Sequence, residues 1–80
     1  MDTREQIISY LMKEIEGYRN ENDELVDSGL LDSLKLMELI SFIEDNYNIE
    51  IDIDDIEPET FNTVNSIVSL IEKNVSRKEK

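Results

Sequence analysis

Gly29-Leu30-Leu31-Asp32-Ser33-Leu34 joins a loop to the strongest helical pattern in the chain. Gly29 permits a tight backbone bend just ahead of the helix. Ser33 falls in the first helical turn, with an acid before it and a leucine after it. From there Leu36, Leu39, Ile40, Ile43 and Tyr47 recur at the 3.6-residue period, which predicts a helix over 33–47 with that side toward a core. Leu34, Met37, Glu38, Ser41, Glu44 and Asp45 fall on another side, apolar near its start and acidic toward its end.

Upstream, Ile7, Ile8, Leu11, Met12 and Ile15 form one apolar stripe and predict a helix over 3–18. Thr3 is its candidate cap, with Gln6 in capping-box register, and Gly17 with the polar run after it is the stop signal. Residues 19–32 form a long connection, with Leu25, Val26, Leu30 and Leu31 available to pin it. Downstream, residues 48–57 alternate apolar and acidic, which taken alone argues for a strand. One strand has no partner in a helical chain, so the segment reads as an extended loop with Ile49, Ile51, Ile53 and Ile56 partly tucked in. Pro58 suits the first turn of a short helix over 58–61. Asn62 or Thr63 can cap a last helix over 63–75, whose apolar side is Val64, Ile67, Val68, Leu70 and Ile71. Residues 76–80 have nothing to bury and are expected to fray. The expectation is all-α: three main helices and one short helix in a single domain over 1–80, ordered over 3–75.

Composition narrows the function. The chain of 80 residues has no Cys and no His, so it offers no disulfide, no thiolate metal site and no Ser-His hydrolase pair. A net charge of −12 argues against nucleic acid and anionic membrane surfaces as partners. It favours basic patches on proteins, reached with salt-sensitive rates. No apolar run approaches bilayer length, and no signal-peptide pattern opens the chain, so a cytoplasmic protein without membrane insertion is expected. A monomer is the simplest assembly.

A Ser at a helix start is most often a cap. Here Asp32 can cap instead, which leaves the Ser33 hydroxyl to project. The helix N-terminus would favour an attached phosphodiester through its dipole and unpaired N–H groups. The pattern runs past Asp32-Ser33-Leu34. Met37-Glu38-Leu39, the acidic run Glu44-Asp45-Asn46 ending at Tyr47, Ile49-Glu50-Ile51 and Phe61-Asn62-Thr63-Val64 follow at matching spacings. Together these segments resemble the acyl carrier protein family, over about residues 25–72 and weakly in the first helix.

The resemblance implies a small four-helix bundle and a covalent 4′-phosphopantetheine cofactor. Ser33 would be the attachment residue, flanked by Asp32 and Leu34, with Asp32 orienting the incoming substrate and its Mg²⁺. Leu34, Met37, Glu38, Ser41, Glu44 and Asp45 would form the docking face. For Leu34 and Met37 ordinary core packing stands beside that reading, and for the acids a merely solvated helix face. Leu36, Ile40, Ile43, Tyr47, Ile51 and Ile67 could line an acyl cleft, their default role being core. The implied partners are a phosphopantetheinyl transferase, an acyl- or aminoacyl-loading ligase or synthetase, and a downstream acyltransferase or synthase with a basic patch. The protein would carry acyl or aminoacyl thioesters for fatty-acid, polyketide, specialised-metabolite or D-alanyl transfer pathways and catalyse nothing itself.

Departures from the fatty-acid carriers are Lys35 where an acid is usual, Leu36 for a common Thr, and Asp52 where many have Pro. The Gly29–Ser33 run and the Phe61-Asn62-Thr63 and Asn65-Ser66-Ile67-Val68 stretches look closer to D-alanyl carriers and stand-alone carriers of specialised pathways. A small acidic interaction module, an inhibitor or DNA mimic without a prosthetic group, is the alternative from another class. Calcium binding through Asp52, Asp54, Asp55 and Glu57 fails the EF-hand spacing, because Glu57 and Thr63 stand where Gly and Glu are required. Loose divalent binding by these acids stays open as charge relief.

Overall fold

The structure, a computed structural model, describes residues 2–78, and of Lys78 the backbone alone. Its regular elements among the described residues are all helical. They are α1 (Thr3–Glu14), α2 (Ser33–Tyr47), a 3₁₀ turn (Ile53–Asp55), α3 (Pro58–Phe61) and α4 (Val64–Lys78).

Helix α1 is shorter than its apolar spacing implied. Its cap is Asp2, not Thr3: Asp2 Oδ1 accepts from the Arg4 amide at 3.1 Å. Gln6 is not in a capping box, because its side chain accepts the Tyr47 hydroxyl across to α2. The helix stops at Glu14, and Ile15 turns extended while remaining 3% exposed. A buried Ile at the next helical position keeps the period going after the helix has ended. The reversal completes at Gly17, with φ +92°, where a Cβ would sit 2.9 Å from Leu30 Cδ2. At this positive φ any other residue would be strained, and its Cβ would also have to push the Leu30 side chain aside.

Helix α2 has the bounds read from the sequence. Asp32 caps it, accepting from the Lys35 amide at 2.8 Å, and Asn48 ends it in the left-handed region at φ 53°. Leu39, Ile40 and Ile43 are buried, and Leu36 and Tyr47 partly so. Each buried aliphatic contributes roughly 1.5–3 kcal/mol on leaving water, so one face of α2 is firmly held and the other is free to work.

Helix α4 packs against α1, α2 and α3, and the core gathers around it. Val64, Ile67, Val68, Leu70 and Ile71 are all buried, and Phe61 at the end of α3 is fully enclosed. Thr63 is the residue that caps α4. Its Oγ1 accepts from the Ser66 amide at 3.2 Å, and Ser66 Oγ accepts from the Thr63 amide at 3.3 Å. The helix runs on through Lys78, so residues 76–78 of the expected frayed tail are helical. No Pro or Gly interrupts the chain there. Glu79 and Lys80 lie outside the described residues.

In the connection after α2, Ile51 is buried and Ile49 and Ile56 are half-buried, but Ile53 is 80% exposed. Asp52 caps the 3₁₀ turn through the Asp54 amide. That turn breaks the two-residue alternation and swings Ile53 outward, against the expectation that it tucks in.

Candidate functional site

Ser33 is the first residue of α2 and is exposed. Because Asp32 takes the capping bond to the Lys35 amide, the Ser33 hydroxyl is spared that role. The hydroxyl therefore stands at the positive end of a 15-residue helix with its oxygen available. The unpaired amides of the first turn and this dipole suit a phosphodiester on Ser33. Gly29, at φ +83° with nothing within 4 Å of a would-be Cβ, gives the approach an open bend.

Burial separates the readings for the rest of α2. Leu34 and Met37 are 66% and 58% exposed, so neither is core. Glu38, Ser41 and Asp45 are exposed as well. Two exposed apolar side chains thus stand next to the serine, followed along the helix by exposed acids. Lys35 sits among them, its Nζ 3.6 Å from Glu38 Oε1, with both side chains 40–49% exposed. Glu38 also helps to raise the phenol pKa of Tyr10 on α1, after burial itself and Glu14. Its charge is thus shared between these groups and the α1 side of the helix.

Glu44 differs from its neighbours. It is half-buried, and Oε2 accepts the Ile51 amide at 3.0 Å. Through that oxygen the carboxylate fastens the connection after α2. The six positions considered for an acyl cleft differ in burial and in the grooves they line. Ile40, Ile43, Ile51 and Ile67 are at most 6% exposed within the core. Tyr47 lines an open groove with Thr3, Ile71 and Val75, while Ile51 edges a separate, acidic one with Glu50, Asp52 and Ile53. Leu36 is half-buried.

Two of the acids after α2 have structural roles: Asp52 caps, and Asp55 meets Lys73 Nζ at 3.5 Å. Among the described residues no group of three or more His, Cys, Asp or Glu is placed to hold a metal. No helix among them is long and apolar enough to cross a membrane.

Sequence reasoning missed two features. Ile53 projects as an isolated apolar side chain amid acids, which alternation alone could not reveal. Asn62, read as a candidate cap, holds the loop that leads to Ser33. Its carbonyl accepts from the Leu25 amide at 2.7 Å, and its Oδ1 accepts from the Val26 and Asp27 amides at 2.9 and 3.0 Å.

Comparison with known proteins agrees with this geometry. The family described as "Phosphopantetheine attachment site" matches residues 5–71. A D-alanyl carrier protein of Streptococcus equi subsp. zooepidemicus is 36% identical over 77 residues, covering 91% of this chain and 95% of the relative. One of Leuconostoc mesenteroides is 32% identical over 74 residues, covering 90% and 95%. One of Streptococcus pyogenes is 38% identical over 52 residues, covering 65% and 66%. The chain belongs to the phosphopantetheine-dependent carrier family. It is a carrier and not an enzyme, its cofactor is 4′-phosphopantetheine, and its work is done with partner enzymes such as ligases and transferases.

Proposed function

We propose that Ser33 carries the 4′-phosphopantetheine arm and that the cargo is D-alanine or an amino acid of similar size. The observation that carries the first part is the exposed Ser33 at the head of α2, with the cap supplied by Asp32 instead. Only one oxygen of Asp32 is engaged there, which leaves Oδ2 to orient the Mg²⁺ of an incoming transferase complex. When bound, the arm supplies the thiol on which cargo is held as a thioester. The chain's own contribution is a stiff, charged mounting for that arm and a surface that partners can read.

Two observations support small cargo. The relatives compared above are D-alanyl carrier proteins. The side chains that would have to part for a long acyl chain, Ile40, Ile43, Ile51 and Ile67, are instead packed in the core. An amino acid needs no such pocket. Fatty-acid, polyketide and specialised-metabolite pathways fit the same attachment chemistry but draw no comparable support. Docking is assigned to Leu34, Met37, Glu38, Ser41 and Asp45, and Glu44 to holding the Ile51 amide, which its Oε2 accepts. A phosphopantetheinyl transferase, an aminoacyl-loading ligase and a downstream acyltransferase would meet this face with apolar and basic groups. The setting is a cytoplasmic monomer.

The test is intact mass after incubation with coenzyme A, Mg²⁺ and a broad-specificity phosphopantetheinyl transferase, with Ser33→Ala in parallel. The native chain should gain one phosphopantetheine and Ser33→Ala none, with stability changed by less than about 0.5 kcal/mol, as for ordinary exposed positions. A gain on the variant would place the arm elsewhere. Subsequent loading with D-alanine in preference to a medium-chain fatty acid, by their respective ligases, checks the cargo.

A further inference from the structure

Between α1 and α2 the chain runs for 18 residues, 15–32, without a regular element. Isolated turn bonds such as Ser28 N–H to the Glu24 carbonyl shape it locally, and Ser33 stands just past its end. Asn62, at the junction of α3 and α4, supplies a hold from outside the loop. Its carbonyl accepts from the Leu25 amide at 2.7 Å, its Oδ1 accepts from the Val26 and Asp27 amides at 2.9 and 3.0 Å, and its Nδ2 donates to Asp27 Oδ2 at 3.2 Å. The grip passes on to the site. The Leu25 carbonyl accepts from the Leu31 amide at 2.9 Å, and Leu31 directly precedes Asp32, the cap of α2. Leu25 and Leu31 are 0% and 6% exposed, so both anchors sit in the core.

We infer that Asn62 is a positioning residue for the modification of Ser33, resting on the attachment reading above. It selects the one loop arrangement in which the Asp32 cap is formed and the Ser33 hydroxyl is presented. Without the Asn62 side chain, the half-buried Val26 amide loses its acceptor and the exposed Asp27 amide turns to water. The loop then samples other arrangements, and only a fraction of molecules present Ser33 correctly. A partner that binds only the competent arrangement sees its apparent affinity reduced by that fraction, while the bound complex reacts at its usual rate. The signature is a raised KM for the carrier with kcat kept. Partial unfolding would shrink the competent fraction in the same way, so the split counts for positioning only where helical circular dichroism is native and the paired exchange restores KM.

The experiment measures phosphopantetheinylation by a broad-specificity transferase across carrier concentrations, for the native 80-residue chain, Asn62→Ala, Asn62→Asp, and Asn62→Asp combined with Asp27→Asn. Helical circular dichroism and amide exchange at Val26, Asp27 and Leu31 are followed on the same samples. Asn62→Ala should raise KM about tenfold, the loss of roughly two hydrogen bonds' net contribution, with kcat within about twofold. Asn62→Asp keeps the acceptor but sets two carboxylates together, so KM should rise. The paired exchange restores one donor and one acceptor and should bring KM back. An unchanged KM in folded Asn62→Ala overturns the positioning role and leaves the attachment reading standing. If Asn62→Ala fails to fold, the other two variants decide: a KM that rises and is not rescued, or never rises, overturns it equally. A native chain that takes no phosphopantetheine overturns the attachment reading and this role with it.

Discussion

The Lys35 amide donates to Asp32 Oδ1 at 2.8 Å, and this one bond separates two jobs that neighbouring residues would otherwise compete for. Asp32 closes the helix and Ser33 is left to react. Asp32→Ala should cost about 1 kcal/mol of stability, the usual loss for a cap, or a fall in Tm of about 4–8 °C in a domain of this size. Asp32→Asn keeps the cap acceptor and should stay within about 0.5 kcal/mol of the native chain, since Asn and Asp cap nearly equally. Both variants should take up phosphopantetheine slowly. If Asp32→Asn is modified at the native rate in saturating Mg²⁺, the charge of Asp32 has no part in the transfer, and its role is structural alone.

Glu38 tests the docking face. Its pair with Lys35 is half-exposed on both sides, so it holds the helix by only about 0.3–0.5 kcal/mol. Glu38→Lys should therefore alter stability by less than about 1 kcal/mol, lost attraction and new i,i+3 repulsion included. Loading by a partner with a basic patch should slow several-fold at low salt. The gap between variant and native should close as salt shortens the screening length from about 10 Å at 0.1 M to about 3 Å at 1 M. Equal rates at low salt would remove this acid from the docking face.

Glu44 lies on the same helix but answers to a different measurement. Its Oε2 accepts the Ile51 amide at 3.0 Å, and Ile51 is 6% exposed. Glu44→Ala leaves that amide without its partner and should cost about 1–3 kcal/mol, with faster exchange at Ile51. Loading should follow the native rate wherever the variant is folded. A slowed transfer with native stability would return Glu44 to the partner surface.

The contrast between Glu38 and Glu44 shows where sequence stops being informative. Both are acids on the side of α2 away from the core stripe, and periodicity treats them alike. What divides them is a loop amide seven residues on, which no spacing rule places. Asn62 is the same case at longer range, since its partners lie 35 and 36 positions away. By contrast α2, α3 and the apolar side of α4 were legible because each is governed by local signals: Asp32 before a regular stripe, Pro58 at a first turn, and five apolar residues at helical spacing. Helix α1 was read too long because Ile15 stays buried after the backbone has left the helix. Whether Leu34 and Met37 were core or contact patch was a question of burial, and one sequence cannot report burial.

Tyr18 presents a cost without an evident return. Its hydroxyl is buried and has no hydrogen-bond partner among the described residues. Burial raises its pKa first, and Asp23 and Glu21 raise it further. Tyr10 and Tyr47 are also raised, by burial foremost, although for Tyr47 a hydrogen bond from Thr3 works the other way. A raised folded pKa means the folded chain holds these protons more tightly than the unfolded one. The associated stability is whole below the ordinary value of 10.0 and is lost as pH climbs through each folded pKa above it. Denaturant midpoints should thus fall across that alkaline range, in step with tyrosinate absorbance. Tyr18→Phe keeps the ring and removes the orphaned hydroxyl, so at neutral pH it should stabilise by about 1 kcal/mol, the low end of the penalty for an unpaired buried group. It should also flatten part of the alkaline loss. A destabilised Tyr18→Phe would mean that the hydroxyl finds a partner in solution, and water at the base of the 15–32 loop would be the first place to look.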